Sequence, residues 1–224
     1  KKSIIQVYAS PGVGKTLYTQ KMVLSLASGQ DFLEHENRYK QPIPTLIIDG
    51  EMNIEELQKR YSTLLTQHPG VDAKYIRIAT LEDQLEGGFD PLNRELGQRR
   101  VQMAIEQLKD QYQVAPVVVL DNLTYLTQMN EKESVEMHPF MSWLIKLRNN
   151  YGCTIVLIHH ETKSTGTPSG SNVKERPLDV SIRLSTPKDI EREEQYKNDT
   201  QFIVQIEKIR TACEYKDRKP YIAC

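Results

Sequence analysis

Ala9-Ser10-Pro11-Gly12-Val13-Gly14-Lys15-Thr16 sets two glycines, a lysine and a hydroxyl residue in the order that cradles a polyphosphate. Glycines at 12 and 14 remove the Cβ atoms that would keep backbone N–H groups away from phosphate oxygens. Lys15 then reaches the β- and γ-phosphates, and the Thr16 hydroxyl is placed to ligate Mg²⁺. The first position is Ala9 instead of the usual Gly, which fits if its φ is negative. An apolar run, Ile4-Ile5-Gln6-Val7-Tyr8, precedes the loop, and a stretch free of Gly and Pro follows it to Ala27. This strand, loop, helix order aims the positive end of a helix at the same anion. The residues point to a nucleoside triphosphate, with ATP and Mg²⁺ as the expected ligands.

Hydrolysis needs more than a cradle: a carboxylate on the Mg²⁺ side and a group that activates water. Asp121 closes the run Pro116-Val117-Val118-Val119-Leu120, the Walker B arrangement, at the tip of a strand expected beside the loop. The next residue is Asn122, where many such ATPases carry Glu, so the water-activating group must sit elsewhere or be absent. Glu51, just past Ile47-Ile48-Asp49-Gly50, is the best candidate, with Gly50 allowing a sharp turn and Asp49 as the weaker alternative. Glu51 also reads simply as an acid at a helix N-terminus. His159 and His160 end another apolar run. Neighbouring strand side chains point to opposite faces, so they do not form a two-His metal site. One of them is placed to sense the γ-phosphate, or else the pair only caps a strand end. Lys208 and Arg210 project to one face of an alternating strand. They read either as a solvated face or as cations that act on a neighbouring subunit's phosphates.

The elements that must position these groups alternate along the chain. Strands are expected near 3–9, 45–49, 75–79, 116–121 and 153–158, with helices near 14–28, 53–68, 92–113 and around Phe140, Leu144, Leu147 and Tyr151. Asn53 with Glu56 three residues on has the form of a capping box, and Gly29 stops the first helix. Residues 82–91 read as a surface loop, and 188–199 as a solvated loop or short helix. Residues 161–177, rich in Gly, Ser, Thr, Pro and Lys, predict a long, mobile loop of the kind that often carries function. Late strands at 181–184, 201–209 and 221–223 read as antiparallel additions at one sheet edge. The fold class is α/β: a mostly parallel central sheet flanked by helices on both faces.

The chain has 224 residues, 38% hydrophobic and 26% charged, which suits one domain over residues 1–224. It starts almost directly on its first strand, as a domain excised from a longer protein would. No apolar run is long enough to cross a membrane. Three widely spaced cysteines, Cys153, Cys213 and Cys224, read as free thiols of a reducing compartment, with the cytoplasm as default. The net charge of −1 provides no global basic field for nucleic acid. A ring with basic inner loops needs none.

Taken together, the P-loop, Asp49-Gly50-Glu51, Leu120-Asp121-Asn122-Leu123, the segment Trp143-Leu144-Ile145-Lys146-Leu147-Arg148, His159-His160-Glu161-Thr162-Lys163, Gly170-Ser171, Asp179 and Glu207-Lys208-Ile209-Arg210 follow one another in a familiar order. The chain resembles the RecA-like AAA ATPases of the RepA type, relatives of ring-shaped replicative helicases found in plasmid and mobile-element replication. The resemblance implies a RecA-like P-loop fold, ATP hydrolysis, a homo-oligomer of hexameric type and action on single-stranded DNA. It also points to a primase or another replication protein as partner. It implies Glu51 as catalytic base, His160 as γ-phosphate sensor, and Lys208 with Arg210 acting across a subunit interface. Lys163, Lys174 and Arg176 would then contact DNA phosphates. A nucleotide-dependent switch or loader acting on a protein partner is the second reading, favoured by the near-neutral charge. A small-molecule kinase ranks third, since no second cluster of substrate-binding arginines is evident.

Overall fold

Runs of β-branched residues bounded by polar turns become strands in the computed structural model, which describes residues 2–80, 90–129, 134–160, 177–188, 200–210 and 219–223. Strand and helix alternate through β1 (Ile4–Ala9), α1 (Lys15–Ser28), β2 (Thr45–Asp49), α2 (Ile54–Gln67), β3 (Ile76–Thr80), α3 (Glu95–Tyr112) and β4 (Val117–Asp121). A single turn, α4 (Leu123–Leu126), precedes α5 (Ser134–Tyr151) and β5 (Thr154–His160). The chain then adds β6 (Val180–Ser185), β7 (Phe202–Ile209) and β8 (Tyr221–Ala223). Gly29 ends α1 in the left-handed region, and Asn53 caps α2 by accepting from the Glu56 amide at 2.8 Å.

The strands form one sheet in the order β3-β2-β4-β5-β1-β6-β7-β8. Two expectations change here. The strand beside β1 is β5, so the Asp121 strand lies one place further away. β6 runs parallel to β1, and the antiparallel additions are β7 and β8 alone. The long connection from β5 to β6 gives the chain room to cross over and re-enter from the same end, as a parallel pair requires.

Alternation along each central strand divides the apolar side chains between two layers. Val118 and Leu120 of β4 face α3 and α5, meeting Val101, Ile105, Leu108, Phe140, Leu144 and Leu147. Val117 and Val119 face the layer of α1 and α2, with Tyr18, Val23, Leu57 and Tyr61. Each such side chain contributes about 1.5–3 kcal/mol when fully buried, against about 1 kcal/mol for the Asn53 cap. Packing therefore outweighs capping in holding the helices on the sheet. Pro139 lies inside α5, on its exposed side. Cys153 is buried, and burial pushes its thiol up to about 11, so it is inert as a nucleophile. Among the described residues no helix is long and apolar enough to cross a membrane.

Candidate nucleotide site

The parallel register brings four strand tips together at one end of the sheet: Ala9 opposite His160, and Asp49 opposite Asp121. Open α/β sheets bind ligands at this carboxyl end. The turn from β1 into α1 begins with Ala9, which is fully buried and, among the described residues, not one of those with positive φ. Ala is thus at ease where the strict motif has Gly. Gly14 caps α1 at φ +120, and a Cβ there would lie 2.9 Å from a ring carbon of Phe202 on β7. The N-cap Gly14 offers no side chain to cap α1, and no acidic residue lies in the first turn. α2 fills its own first turn with Asn53, Glu55 and Glu56. The N-terminus of α1 suits an anionic ligand.

A cavity of about 500 Å³ lies against this turn, a size suited to a small ligand. Gly12, Gly14, Lys15, Thr16, Asp49, Glu51, Asp121 and His160 all line it, so the sequence candidates of the cradle, the metal side and the sensor converge in one space. Lys15 Nζ donates to the carbonyls of Ala9 and Ser10 at 3.1 and 3.2 Å, folded back on its own loop.

Asp49 accepts from the amides of both Glu51 and Met52 at 2.8 Å, and the Gly50 amide donates to the Asp121 carbonyl at 2.7 Å. Asp49 therefore builds the turn that presents Glu51. Gly50 lies in the expected turn with an ordinary φ, and its missing Cβ also makes room for Tyr125 and Leu126 of α4, 2.9 and 3.1 Å from where it would stand. The half-exposed Glu51 carboxylate accepts from Asn122 Nδ2 at 3.0 Å, and the same nitrogen lies 3.1 Å from His160 Nε2. His159 is buried and points to the opposite face of the sheet, as alternation requires.

Burial pushes the Asp121 carboxyl up to about 7, helped by the charges of Asp49 and Glu51 and opposed by Lys15. Burial also raises Asp49. Three carboxylates around one cavity leave negative charge for a hard cation to neutralise, and the hydroxyl of Thr16 and the carboxylate of Asp121 are oxygen donors of the kind Mg²⁺ takes. Among the described residues no group of three or more His, Cys, Asp and Glu forms a metal cage.

The raised Asp121 value carries a stability prediction. The folded state keeps a proton that the unfolded chain releases near pH 4, so ligand-free stability falls as pH rises from about 4 to about 7. Asp121→Asn removes that penalty. In EDTA and without nucleotide, the variant's Tm is expected to exceed the parent's by about 3–8 °C at pH 8, and to match it at pH 4.5. Thermal scans at both pH values check this, and an equal gain at both contradicts it.

Lys208 and Arg210 lie apart from the cavity. Lys208 pairs with Ser181, and the Arg210 amide donates to the Asp179 carbonyl at 2.9 Å, at the start of β6. Thr200, which lines the cavity, is separated from Arg210 by the whole of β7, roughly 25 Å of extended chain. The basic residues Lys163, Lys174 and Arg176 lie outside the described residues. Two groups escaped the sequence reading. One is Asn122, noticed there only as a missing Glu. The other is Arg60, which lines the cavity from α2 while its guanidinium donates to Glu56 at 2.8 Å. The helical stripe of Leu57, Tyr61 and Leu64 was the available signal, because Arg60 sits at its margin.

The family model of an AAA domain matches residues 1–166. The fold is similar to the crystal structure of a KaiC-like protein from the hyperthermophilic archaeon Pyrococcus horikoshii OT3. The TM-score is 0.61 at 13% identity, over 99% of this chain and 85% of that one. No curated protein matches the sequence.

Proposed function

Because the chain belongs to the AAA domain family, a family of RecA-like P-loop ATPases, we propose that it is an ATP-hydrolysing motor of the RepA type, working as a ring of identical subunits on single-stranded DNA. The observation that carries the reading is the meeting of Lys15, Thr16, Glu51, Asp121 and His160 around one cavity. Lys15 leaves the loop carbonyls for phosphate oxygens, and the first turn of α1 donates to the same anion. Thr16 and Asp121 would hold Mg²⁺, which when bound would supply positive charge to the transferred phosphoryl group. Glu51 accepts the proton of the attacking water, and His160 registers the presence of the γ-phosphate. His160 is the last residue before the basic segment 161–176, so the phosphate state passes directly to Lys163, Lys174 and Arg176. Those cations take up DNA phosphates without sequence preference.

Lys208 and Arg210 support the reading of a ring. Standing far from their own cavity, they serve the cavity of an adjacent copy. Measuring mass in solution, with and without a non-hydrolysable ATP analogue and an oligonucleotide, tests the assembly. A ring that forms with both ligands, and ATP turnover that rises with single-stranded DNA and falls with salt, are expected. Assembly with nucleotide but no affinity for DNA at low salt would select the second reading, a switch or loader acting on a protein partner, which the net charge of −1 favours.

A further inference from the structure

We infer that Asn122 is a positioning residue that couples the γ-phosphate sensor to the catalytic base, its amide bridging His160 and Glu51; this rests on the ATPase reading above. The residue is 1% exposed, on the tip of β4 beside Asp121. Its Oδ1 caps α4 by accepting from the Tyr125 amide at 3.4 Å, which fixes the orientation of the amide group. A flipped amide would set oxygen against the Glu51 carboxylate and NH₂ against a backbone N–H, so chemistry allows one assignment. Nδ2 then directs one hydrogen to Glu51 Oε2 and the other to His160 Nε2.

An NH₂ group only donates, so His160 Nε2 must accept, and a neutral ring carries its proton on Nδ1. This tautomer cannot donate from Nε2 to a phosphate. A γ-phosphoryl group that recruits Nε2 as donor therefore breaks the Asn122–His160 contact and leaves the amide to Glu51 alone. The orientation of the base thereby depends on whether the sensor is engaged. His160 Nε2 and Glu51 Oε2 also stand 3.8 Å apart, with Asn122 Nδ2 within hydrogen-bond distance of both. The other charged groups lining the cavity are Lys15, Arg60, Asp49 and Asp121.

This arrangement explains why Asn suits the place where many P-loop ATPases carry their catalytic Glu. With the carboxylate supplied by the end of β2, the tip of β4 needs a neutral donor to hold it.

Two variants test the coupling. Asn122→Ser keeps an oxygen to cap α4 but is too short to bridge, and Asn122→Asp keeps the size and the cap while turning donor into acceptor. Both are expected to lower kcat about 10- to 100-fold with KM for ATP near the parent's. Tm stays near the parent's in Asn122→Ser and falls in Asn122→Asp at neutral pH, where a buried carboxyl joins Asp49, Glu51 and Asp121. In a His160→Ala background the Asn122→Ser change should cost less than in the parent, because only the Asn122–Glu51 contact remains to be lost. A readout free of turnover is the ¹⁵N spectrum of the ligand-free imidazole at neutral pH. The parent is expected to show His160 with Nδ1 protonated, and Asn122→Asp to shift the proton to Nε2. Unchanged kcat in both variants, full additivity with His160→Ala, or Nε2 protonated in the parent overturns the inference. Glu51→Gln in the same assay separates the failures. A dead Glu51→Gln beside a fully active Asn122→Ser refutes the coupling alone, and an active Glu51→Gln removes the base and the coupling with it.

Discussion

A Glu51→Gln protein is expected to bind ATP as tightly as the parent and to hydrolyse it about 100- to 10,000-fold more slowly, the usual contribution of a positioned general base. The substitution is mild for the fold. Gln keeps the length and an oxygen that can accept from Asn122 Nδ2, so the turn built by Asp49 and the cap of α4 stay in place. What disappears is the ability to take a proton from water. Neither neighbouring carboxylate can substitute. Asp49 is committed to the amides of Glu51 and Met52 and is buried. Asp121 is the expected partner of Mg²⁺ and, while ligand-free, holds its proton to about pH 7. Titration with a fluorescent ATP analogue and steady-state phosphate release separate binding from chemistry. Turnover above about a tenth of the parent's, with binding intact, would remove Glu51 from the base's role.

How much of this site could be read in advance depends on how far apart its parts lie in the chain. The P-loop was legible because strand, turn and helix are consecutive, and the composition of residues 9–16 states the turn outright. The family match and the KaiC-like fold agree with that reading of a RecA-like P-loop ATPase. Strand order was not legible. Nothing in the apolar run of β4 says that β5 inserts between it and β1, because a continuous hydrophobic strand fits any buried position in a parallel sheet. The same limit made β6 look antiparallel. A short alternating segment carries no direction, which the crossover from β5 supplies. Asn122 illustrates the harder case. Its partners lie 71 and 38 residues away, and no local spacing announces them. At Gly50 the turn was legible, but the close approach of α4 leaves no trace in the two residues beside it.

The second large effect concerns Arg210. Arg210→Ala is expected to lose about 10³- to 10⁵-fold in turnover, the scale of an arginine finger, although the residue lies a strand's length from its own cavity. Its carbonyl-side neighbours explain why the fold should survive. The Arg210 contact to Asp179 is made by a backbone amide, and Asp179 is held independently by Arg148 at 2.9 Å and by the Ile4 amide at 2.8 Å. The alternative source of charge is Arg60, already at the cavity in the same chain. If Arg60 were sufficient, losing Arg210 would leave turnover intact and Arg60→Ala alone would abolish it. Mixing distinguishes the two arrangements. Lys15→Ala chains lack a working cradle and Arg210→Ala chains lack the finger, so each is inactive by itself. In a mixed ring, an interface works when an Arg210→Ala cradle faces the Arg210 of a Lys15→Ala neighbour. Random assembly at equal amounts makes about one interface in four competent, and phosphate release should reach a maximum near that ratio. Activity that stays at the level of the separate variants at every ratio, with mixed rings confirmed by mass, would mean that each cavity is complete within its own chain.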